Sequence, residues 1–478
     1  MTTDVTVNSE LVKAASLIDG EVEQPAESFI VTSPATGLAV AEVGEATVAD
    51  LDRAVAAARR AQPAWAADEE ARRKALRDAA DVLEANAEEL ARLVVLETGK
   101  PFPIGMYEAF GSAEHLRWIA DQEMPQTRLS GEGDVGVQLE WVPVGVVGAI
   151  VPWNVPLIMF LHKFAAAART GNTLVAKPSP FTPVSSLRAA ELLNDVLPAG
   201  VLNVVAGGDA LGRSLVEHPD VDMIGFTGSS ETGAKIMASA APTLKRVSLE
   251  LGGNDAAIVL PDVDVDAAAQ GVFNSAFIMS GQACAAIKRL YVHRDVHAPI
   301  VAKLVELAEA AKLGDPFDPE TTMGPLMTGE QFAKVSDLVD DVRAVGGRIV
   351  TGGERFGEKG FFFEPTIVED LPSDARLIVE EQFGPVLPVI VYDDLDEAIA
   401  QANDTVYGLS ASVWSTDTAR AAEVARKLEA GTVWVNKHAV VAPPVPFGGV
   451  KQSGFGREGG LAGILNYASM RTVDVDAM

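Results

Sequence analysis

Residues 146–177 read VVGAIVPWNVPLIMFLHKFAAAARTGNTLVAK, and this stretch decides the fold. VVGAIV (146–151) is an apolar run of strand length, PLIMFLHKFAAAA (156–168) reads as a helix with Pro156 at its first position, and NTLVAKP is a second strand. Downstream the alternation continues through the helix PVSSLRAAELLNDVL, with Thr182 as its expected N-cap and Pro183 at its first position. VLNVVAG, the helix ALGRSLVEH, the strand MIGFTG and the helix SETGAKIMASAA follow. Near-continuous apolar strands alternating with helices predict a parallel sheet covered on both faces, hence an α/β protein.

Outward from that stretch, residues 47–96 read as two amphipathic, alanine-rich helices. RLSGEGDVGVQLEWVP is an excursion of extended chain, and a second α/β region runs from about 253 to 450. Its landmarks are a helix after Asp264, the strand KRLYVH, a helix from Val296 and the strand GTVWVN. MRTVDVDA (470–477) alternates like an edge strand.

The chain has 478 residues, enough for two or three domains. Its 38 basic and 67 acidic side chains give a net charge of −29, which disfavours nucleic acid and anionic lipid as partners. A single cysteine excludes an intrachain disulfide and a cysteine-rich metal site, and His293 and His297 stand without an HExxH pattern; no metal is expected. The N-terminus carries Asp4 and Glu10 and lacks an apolar export core, so a cytoplasmic location is expected. Between Glu140 and Lys163 lie 22 residues without Asp, Glu, Lys or Arg, but Pro143, Pro152 and Pro156 break them up. No membrane span is expected.

Two G-x-G-x-x-G matches, 131–136 and 454–459, follow no hydrophobic strand and fail as phosphate-binding turns. Gly228, Ser229 and Gly233 are better placed, between the strand MIGF and a helix whose first N–H groups can hold a pyrophosphate. Cys284, in SGQACAAIKR, is either a small buried hydrophobe or a thiol displayed on a glycine-led loop. Glu250, before Gly252 and Gly253, is either a strand-end carboxylate or a general base against which another group comes close. Asn154, in VPWNVP, is either a turn residue or an amide donor to an oxyanion.

Taken together, VPWNVP, KPS, GFTGS, ELGG, GQAC, EEQFGPV and PFGGVKQSGFGRE, in this order over roughly residues 25–470, resemble the aldehyde dehydrogenase superfamily. The 34 residues from Glu250 to Cys284 and the 97 from Cys284 to Glu381 match its hydrolytic branch. The resemblance implies that Cys284 is the nucleophile, that Asn154 and the cysteine's own N–H hold the oxyanion, and that Glu250 activates water. It places Lys177 and Ser179 near the adenosine ribose, Trp153, Gly228, Ser229 and Gly233 by the diphosphate, and Glu381 and Phe383 by the nicotinamide. The cofactor it implies is NAD, with NADP possible: Pro180 stands where NAD-preferring members often carry a glutamate that repels a 2′-phosphate, yet no arginine joins the motif.

By motif offset Val155, Met159, His162, Val441 and Phe447 would line the substrate tunnel, which favours a hydrophobic aliphatic or aromatic aldehyde. Without an aromatic cage or an arginine there, betaine aldehyde and a dicarboxylic semialdehyde fit less well. The alternatives are a semialdehyde-specific dehydrogenase and a non-catalytic structural or binding descendant. A thiol hydrolase lacks a histidine partner near Cys284 in motif terms. The implied architecture is a Rossmann-like cofactor domain (1–124 and 144–252), an α/β catalytic domain (253–453) and a small β oligomerisation arm (125–143 and 454–478). That arm would build a homodimer or homotetramer by pairing strand edges.

Overall fold

A computed structural model describes residues 11–133 and 135–476. Residues 1–10, Asp134 and Ala477, on which parts of the N-terminal, glycine-motif and tail readings fall, lie outside the described residues.

The alternation at 146–250 forms an eight-stranded sheet. Its order is Gly454–Phe455, Arg246–Glu250, Met223–Thr227, Val146–Ile150, Thr173–Lys177, Leu202–Val204, Leu17–Ile18 and Glu21–Val22. The five central strands are mutually parallel and the outer ones antiparallel. Val146–Ile150 lies beside both Thr173–Lys177 and Met223–Thr227, so the strand order reverses there. In open α/β sheets ligands bind outside the carboxyl ends of the strands at such a reversal. Every residue of Met223–Thr227 and Thr173–Lys177 is buried, as expected of strands covered on both faces.

Helices cover this sheet on two sides through separate apolar clusters, one around Phe160, Phe164 and Leu116, the other around Leu51, Leu215 and Ile224. Residues 47–96 form three helices and not the expected two: Val48–Ala67, Glu69–Ala85 and Ala87–Thr98. Asp68 and Asn86 leave the helical region, and the Asp68 carboxylate accepts from Ala71 N at 2.9 Å. These short polar side chains favour caps over helix interiors, and the amphipathic pattern continues across them unbroken. Thr182 does not cap the next helix either. That helix is Val184–Leu193, and buried Glu97 takes the N–H groups of Val184 at 2.8 Å and Ser185 at 3.2 Å.

A second, seven-stranded sheet holds the region after 253. Its order is Arg348–Thr351, Thr366–Glu369, Val386–Tyr392, Ile287–His293, Asp255–Val259, Ser410–Trp414 and Thr432–Val435, parallel except for the first strand. A third sheet pairs Gly136–Pro143 with Thr127–Arg128 and with Ala468–Val475. Of the segment after 454, only Ala468–Val475 joins it. Gly454–Phe455 pairs with Arg246–Glu250, and the helix Gly460–Asn466 packs against Pro156–Arg169. No described helix is long and apolar enough to cross a membrane.

Candidate functional site

Strand register puts the chemistry on one edge. Ile150 lies opposite Lys177 and Phe226, and Thr227 lies opposite Glu250. The turns that follow, carrying Trp153 and Asn154, Ser179, Gly228 and Ser229, and Gly252 and Gly253, therefore leave the sheet at the same carboxyl edge.

Asn154 is buried, and its Nδ2 donates to the Gln282 carbonyl at 2.8 Å. A carboxamide has two N–H donors, so this bond orients the group and leaves the other donor for a ligand. The Asn154 carbonyl accepts from Lys100 Nζ at 2.6 Å. Lys100 is ion-paired with Glu108, and both are almost fully buried. The second Glu108 oxygen accepts from Leu157 N at 3.2 Å and Ile158 N at 3.3 Å, at the start of helix Pro156–Arg169. A carboxylate is favourable at a helix N-terminus, so one buried pair fixes both this helix and the asparagine before it.

Cys284 follows a strained approach. Met279, Ser280 and Gly281 have φ of +48°, +58° and +74° in succession. Non-glycine residues held there cost on the order of 1–3 kcal/mol each, and surrounding bonds must hold them. Ser280 Oγ donates to the Gly324 carbonyl at 2.7 Å, and Gln282 Nε2 donates to the carbonyls of Met279 and Pro325, both at 3.1 Å. Gln282 Oε1 accepts from Met327 N at 2.8 Å. The half-buried thiol is thus presented by a rigid loop.

Burial pushes the Cys284 thiol up to about 12, Lys288 opposing and Asp255, Glu250 and Glu381 adding to the rise. Glu250 is buried, and neither carboxyl oxygen has a hydrogen-bond partner among the described residues. Burial first and the Glu458 carboxylate second raise its pKa well above 4.5, against Lys163 and Arg457. Such an unsatisfied, desolvated carboxyl group is a mark of function. Lys163 and Glu458 form a buried ion pair behind it. Gly448 lies against Glu250, since a Cβ there would come within 2.6 Å of Oε1.

The glycines after Glu250 admit a specific neighbour. A Cβ on Gly252 would stand 2.3 Å from Glu381 Oε2. Glu381 Oε1 accepts from Gly253 N at 3.1 Å and lies 3.7 Å from Lys288 Nζ. Phe383, at φ +49°, meets Trp153 edge to face with ring centroids 5.4 Å apart. Among the described residues Lys177 is buried without a carboxylate partner in contact, and its Nζ donates to the Pro178 and Gly207 carbonyls, both at 3.0 Å. Desolvation lowers its pKa to about 8. Ser179 Oγ accepts from Phe181 N at 3.3 Å.

Ser229 caps helix Ser230–Ala240, accepting from Thr232 N at 3.2 Å. The Gly228 N–H donates to the Glu250 carbonyl at 3.0 Å and is already used. Gly233 presses on Leu251, where a Cβ would come within 2.7 Å, so its service is close helix packing. These residues fit an anionic dinucleotide: a helix N-terminus and a buried ammonium share one edge, and the Glu381 carboxylate lies against the Gly252–Gly253 turn of that edge.

Of the expected tunnel residues, Val155 precedes helix Pro156–Arg169, and Met159 and His162 stand half-buried on it. His162 stacks on buried His115 with centroids 3.7 Å apart, and desolvation lowers its pKa to about 3, which keeps it neutral. Phe447 stacks with Trp434 at 6.4 Å and bridges to Glu458 through its backbone. Val441 is exposed in the loop beyond Thr432–Val435. Sequence reasoning missed Lys100, Glu108, Lys163, Lys288 and Glu458. The nearest thing to a signal was a lysine within an apolar run, which Lys163 shows in its helix and Lys288, beside Arg289, shows in its strand.

The chain matches the aldehyde dehydrogenase family over residues 22–473. Betaine aldehyde dehydrogenase 1 of Rhizobium meliloti is 39% identical over 477 residues, spanning 97% of each chain. The NAD+ complex of aldehyde dehydrogenase from Bacillus cereus superimposes with a TM-score of 0.94 at 38% identity, covering 96% of each chain. An NADP-dependent enzyme of E. coli does so with 0.94 at 37% identity, covering 98% of each. The chain belongs to the aldehyde dehydrogenase family.

Proposed function

We propose that this protein oxidises an aldehyde to a carboxylate with NAD(P)+ through a thioester on Cys284. The observation that carries the reading is the gathering of a thiol on a rigid loop, an oriented carboxamide and a carboxyl group with two unpartnered oxygens. The Cys284 thiolate adds to the aldehyde carbon, and the free N–H of Asn154 with the Cys284 N–H takes the oxyanion. Such a donor is worth about 10²–10³ in rate. When bound, the nicotinamide supplies the acceptor for the hydride that leaves that carbon. Glu250 then takes a proton from the water that attacks the thioester, and the thiolate departs. Water finds the Glu250 carboxyl unengaged, which favours hydrolysis over transfer to another thiol.

Trp153 and Phe383 would flank the nicotinamide, Glu381 and Lys177 with Ser179 would take the two riboses, and the Gly228–Ser229 turn would take the diphosphate. NAD and NADP both suit Pro180, since no carboxylate there repels a 2′-phosphate. Val155, Met159 and Phe447 favour a hydrophobic aliphatic or aromatic aldehyde, with neutral His162 the polar point on that wall. A quaternary ammonium would want a cage of electron-rich faces, and of these positions only Phe447 supplies a benzenoid ring. We assign 1–124 and 144–252 to cofactor binding, 253–453 to catalysis and 125–143 with 468–475 to an arm. Its edge strand Ala468–Val475 would pair with a second copy.

The test is NADH or NADPH formation by the purified protein across an aldehyde panel, with Cys284→Ala as control. Turnover with hexanal or phenylacetaldehyde that vanishes in the control is the expected result. A strong preference for betaine aldehyde or succinic semialdehyde would overturn the substrate class, and full turnover in the control would overturn the thioester.

A further inference from the structure

We propose that the Lys288 ammonium is the counter-charge that stabilises Cys284 as a thiolate. The inference rests on the reading of Cys284 as nucleophile. Lys288 is the second residue of the buried strand Ile287–His293, a position where lysine is rare unless its charge is compensated. Its side chain turns back into the loop that carries the thiol. Nζ donates to the carbonyls of Ala283 and Cys284, each at 2.8 Å, and to that of Ala286 at 3.3 Å. Three donors on three carbonyls exhaust the ammonium's hydrogens and fix the charge inside the loop. It also lies 3.7 Å from Glu381 and 5.9 Å from the Phe383 ring centre, so one ammonium adjoins both the loop of the nucleophile and the proposed nicotinamide site.

The surroundings give this cation its consequence. Asp255, Glu250 and Glu381 face the thiol and each disfavours its ionisation, while Lys288 favours it. Buried His438, 4.0 Å from Asp255, adds no charge, because burial lowers its pKa to about 3. Asp255 itself is raised to about 7 by burial, Lys288 opposing. Among the described residues, three acids oppose a thiolate at this position and Lys288 supplies the opposing fixed charge.

A lysine holding three carbonyls could serve as a structural staple alone, and substitution separates the two roles. Lys288→Gln keeps two N–H donors and loses the charge, whereas Lys288→Arg keeps the charge. Cys284 is the one cysteine in the chain, so iodoacetamide alkylation of the full-length protein reads its ionisation with no other thiol contributing. In K288Q the alkylation rate at a fixed pH below the midpoint should fall about tenfold, the equivalent of a midpoint raised by about one unit. In K288R it should stay close to wild type. A K288Q profile that superimposes on wild type, or a K288R shift as large as that of K288Q, overturns the proposal.

Should K288Q fail to fold, Glu381→Gln decides. Glu250→Gln is its reference: each variant removes a carboxylate that disfavours the thiolate, but only Glu381→Gln also leaves the ammonium uncompensated, so its midpoint should fall further, and a fall no larger than that of Glu250→Gln overturns the proposal. A normal Lys288 effect in a protein that oxidises no aldehyde would leave this inference standing and remove the proposed activity instead.

Discussion

Gly252→Ala should disable cofactor binding while leaving the fold intact. Gly252 has no left-handed φ, so alanine fits the backbone. The new Cβ would lie 2.3 Å from Glu381 Oε2 and 3.2 Å from its Cδ. Ordinary contact needs roughly 3.5 Å, so the carboxylate must retreat by about 1 Å. A carboxylate at the end of a flexible side chain can do so cheaply, and the loss in stability should be about 1 kcal/mol. The retreat breaks the bond to Gly253 N at 3.1 Å and draws the group away from Lys288. If Glu381 holds the nicotinamide ribose, a charge-assisted hydrogen bond of about 1.5–3 kcal/mol is lost. That corresponds to roughly a 10- to 150-fold weaker Kd for NAD. Calorimetric titration with NAD, alongside thermal unfolding of the cofactor-free protein, measures both quantities. Because G252A acts through Glu381, the G252A/E381A double variant should bind no worse than E381A. A folded G252A protein with wild-type affinity, or losses that add in the double variant, would refute the reasoning.

Two further outcomes follow from the buried carboxyl groups. Glu250→Gln should leave acylation and stop hydrolysis, so stopped-flow traces should show about one equivalent of NADH per site and then a rate lower by about 10²–10⁴. Because burial raises the Glu250 pKa well above 4.5, wild-type turnover should climb with pH as the carboxylate forms, and a flat profile with no burst in E250Q counts against the base. Glu97 is raised to about 8 by burial, against 4.5 in the unfolded chain. The native state then holds the extra proton between those values, so this contribution to stability is present below pH 4.5 and lost as pH rises through about 8. Urea unfolding should show Glu97→Gln gaining on wild type from pH 5.5 to pH 8, by at most roughly 3 kcal/mol. Parallel curves would exclude it.

The cofactor sheet was legible because its strands are buried on both faces and bounded by turn residues, leaving apolar runs such as VVGAIV that no other element explains. The helix count at 47–96 was not, because Asp68 and Asn86 interrupt the backbone without interrupting the amphipathic stripe. The cap at Thr182 misled because local spacing cannot reveal that Glu97, far upstream in the chain, supplies the carboxylate. The reading of Gly252 and Gly253 as room for an approaching group was right in kind, but only the fold names Glu381 as the group. The glycine-motif segment 454–459 holds no phosphate-binding turn, yet it delivers Glu458 to Lys163 behind Glu250.

What lay furthest from the sequence is the placing of lysines. A chain of net charge −29 has no shortage of acids to pair its cations at the surface, and each lysine looks alike in composition. Yet Lys100, Lys163, Lys177 and Lys288 are all at most 4% exposed, and each meets a residue of the candidate site or its support: Asn154, Glu458, Pro178 and Cys284 respectively. Lys245, buried at the amino end of strand Arg246–Glu250, is set apart from them. Lysine is almost never buried unless something compensates its desolvation, and here the compensation is unequal. Lys100 and Lys163 each have a buried carboxylate, whereas Lys177 has only carbonyls in contact and Lys288 has carbonyls with Glu381 further off. The two less compensated lysines sit where the proposed reaction brings negative charge, Lys177 beside the ribose and phosphate region and Lys288 beside the thiolate. The paired ones stand behind Asn154 and Glu250, whose task is to stay in place. Charge left over for the ligand and charge cancelled for rigidity are thus divided between front and back of one site, a division that residue spacing cannot express because each pair is closed across different elements.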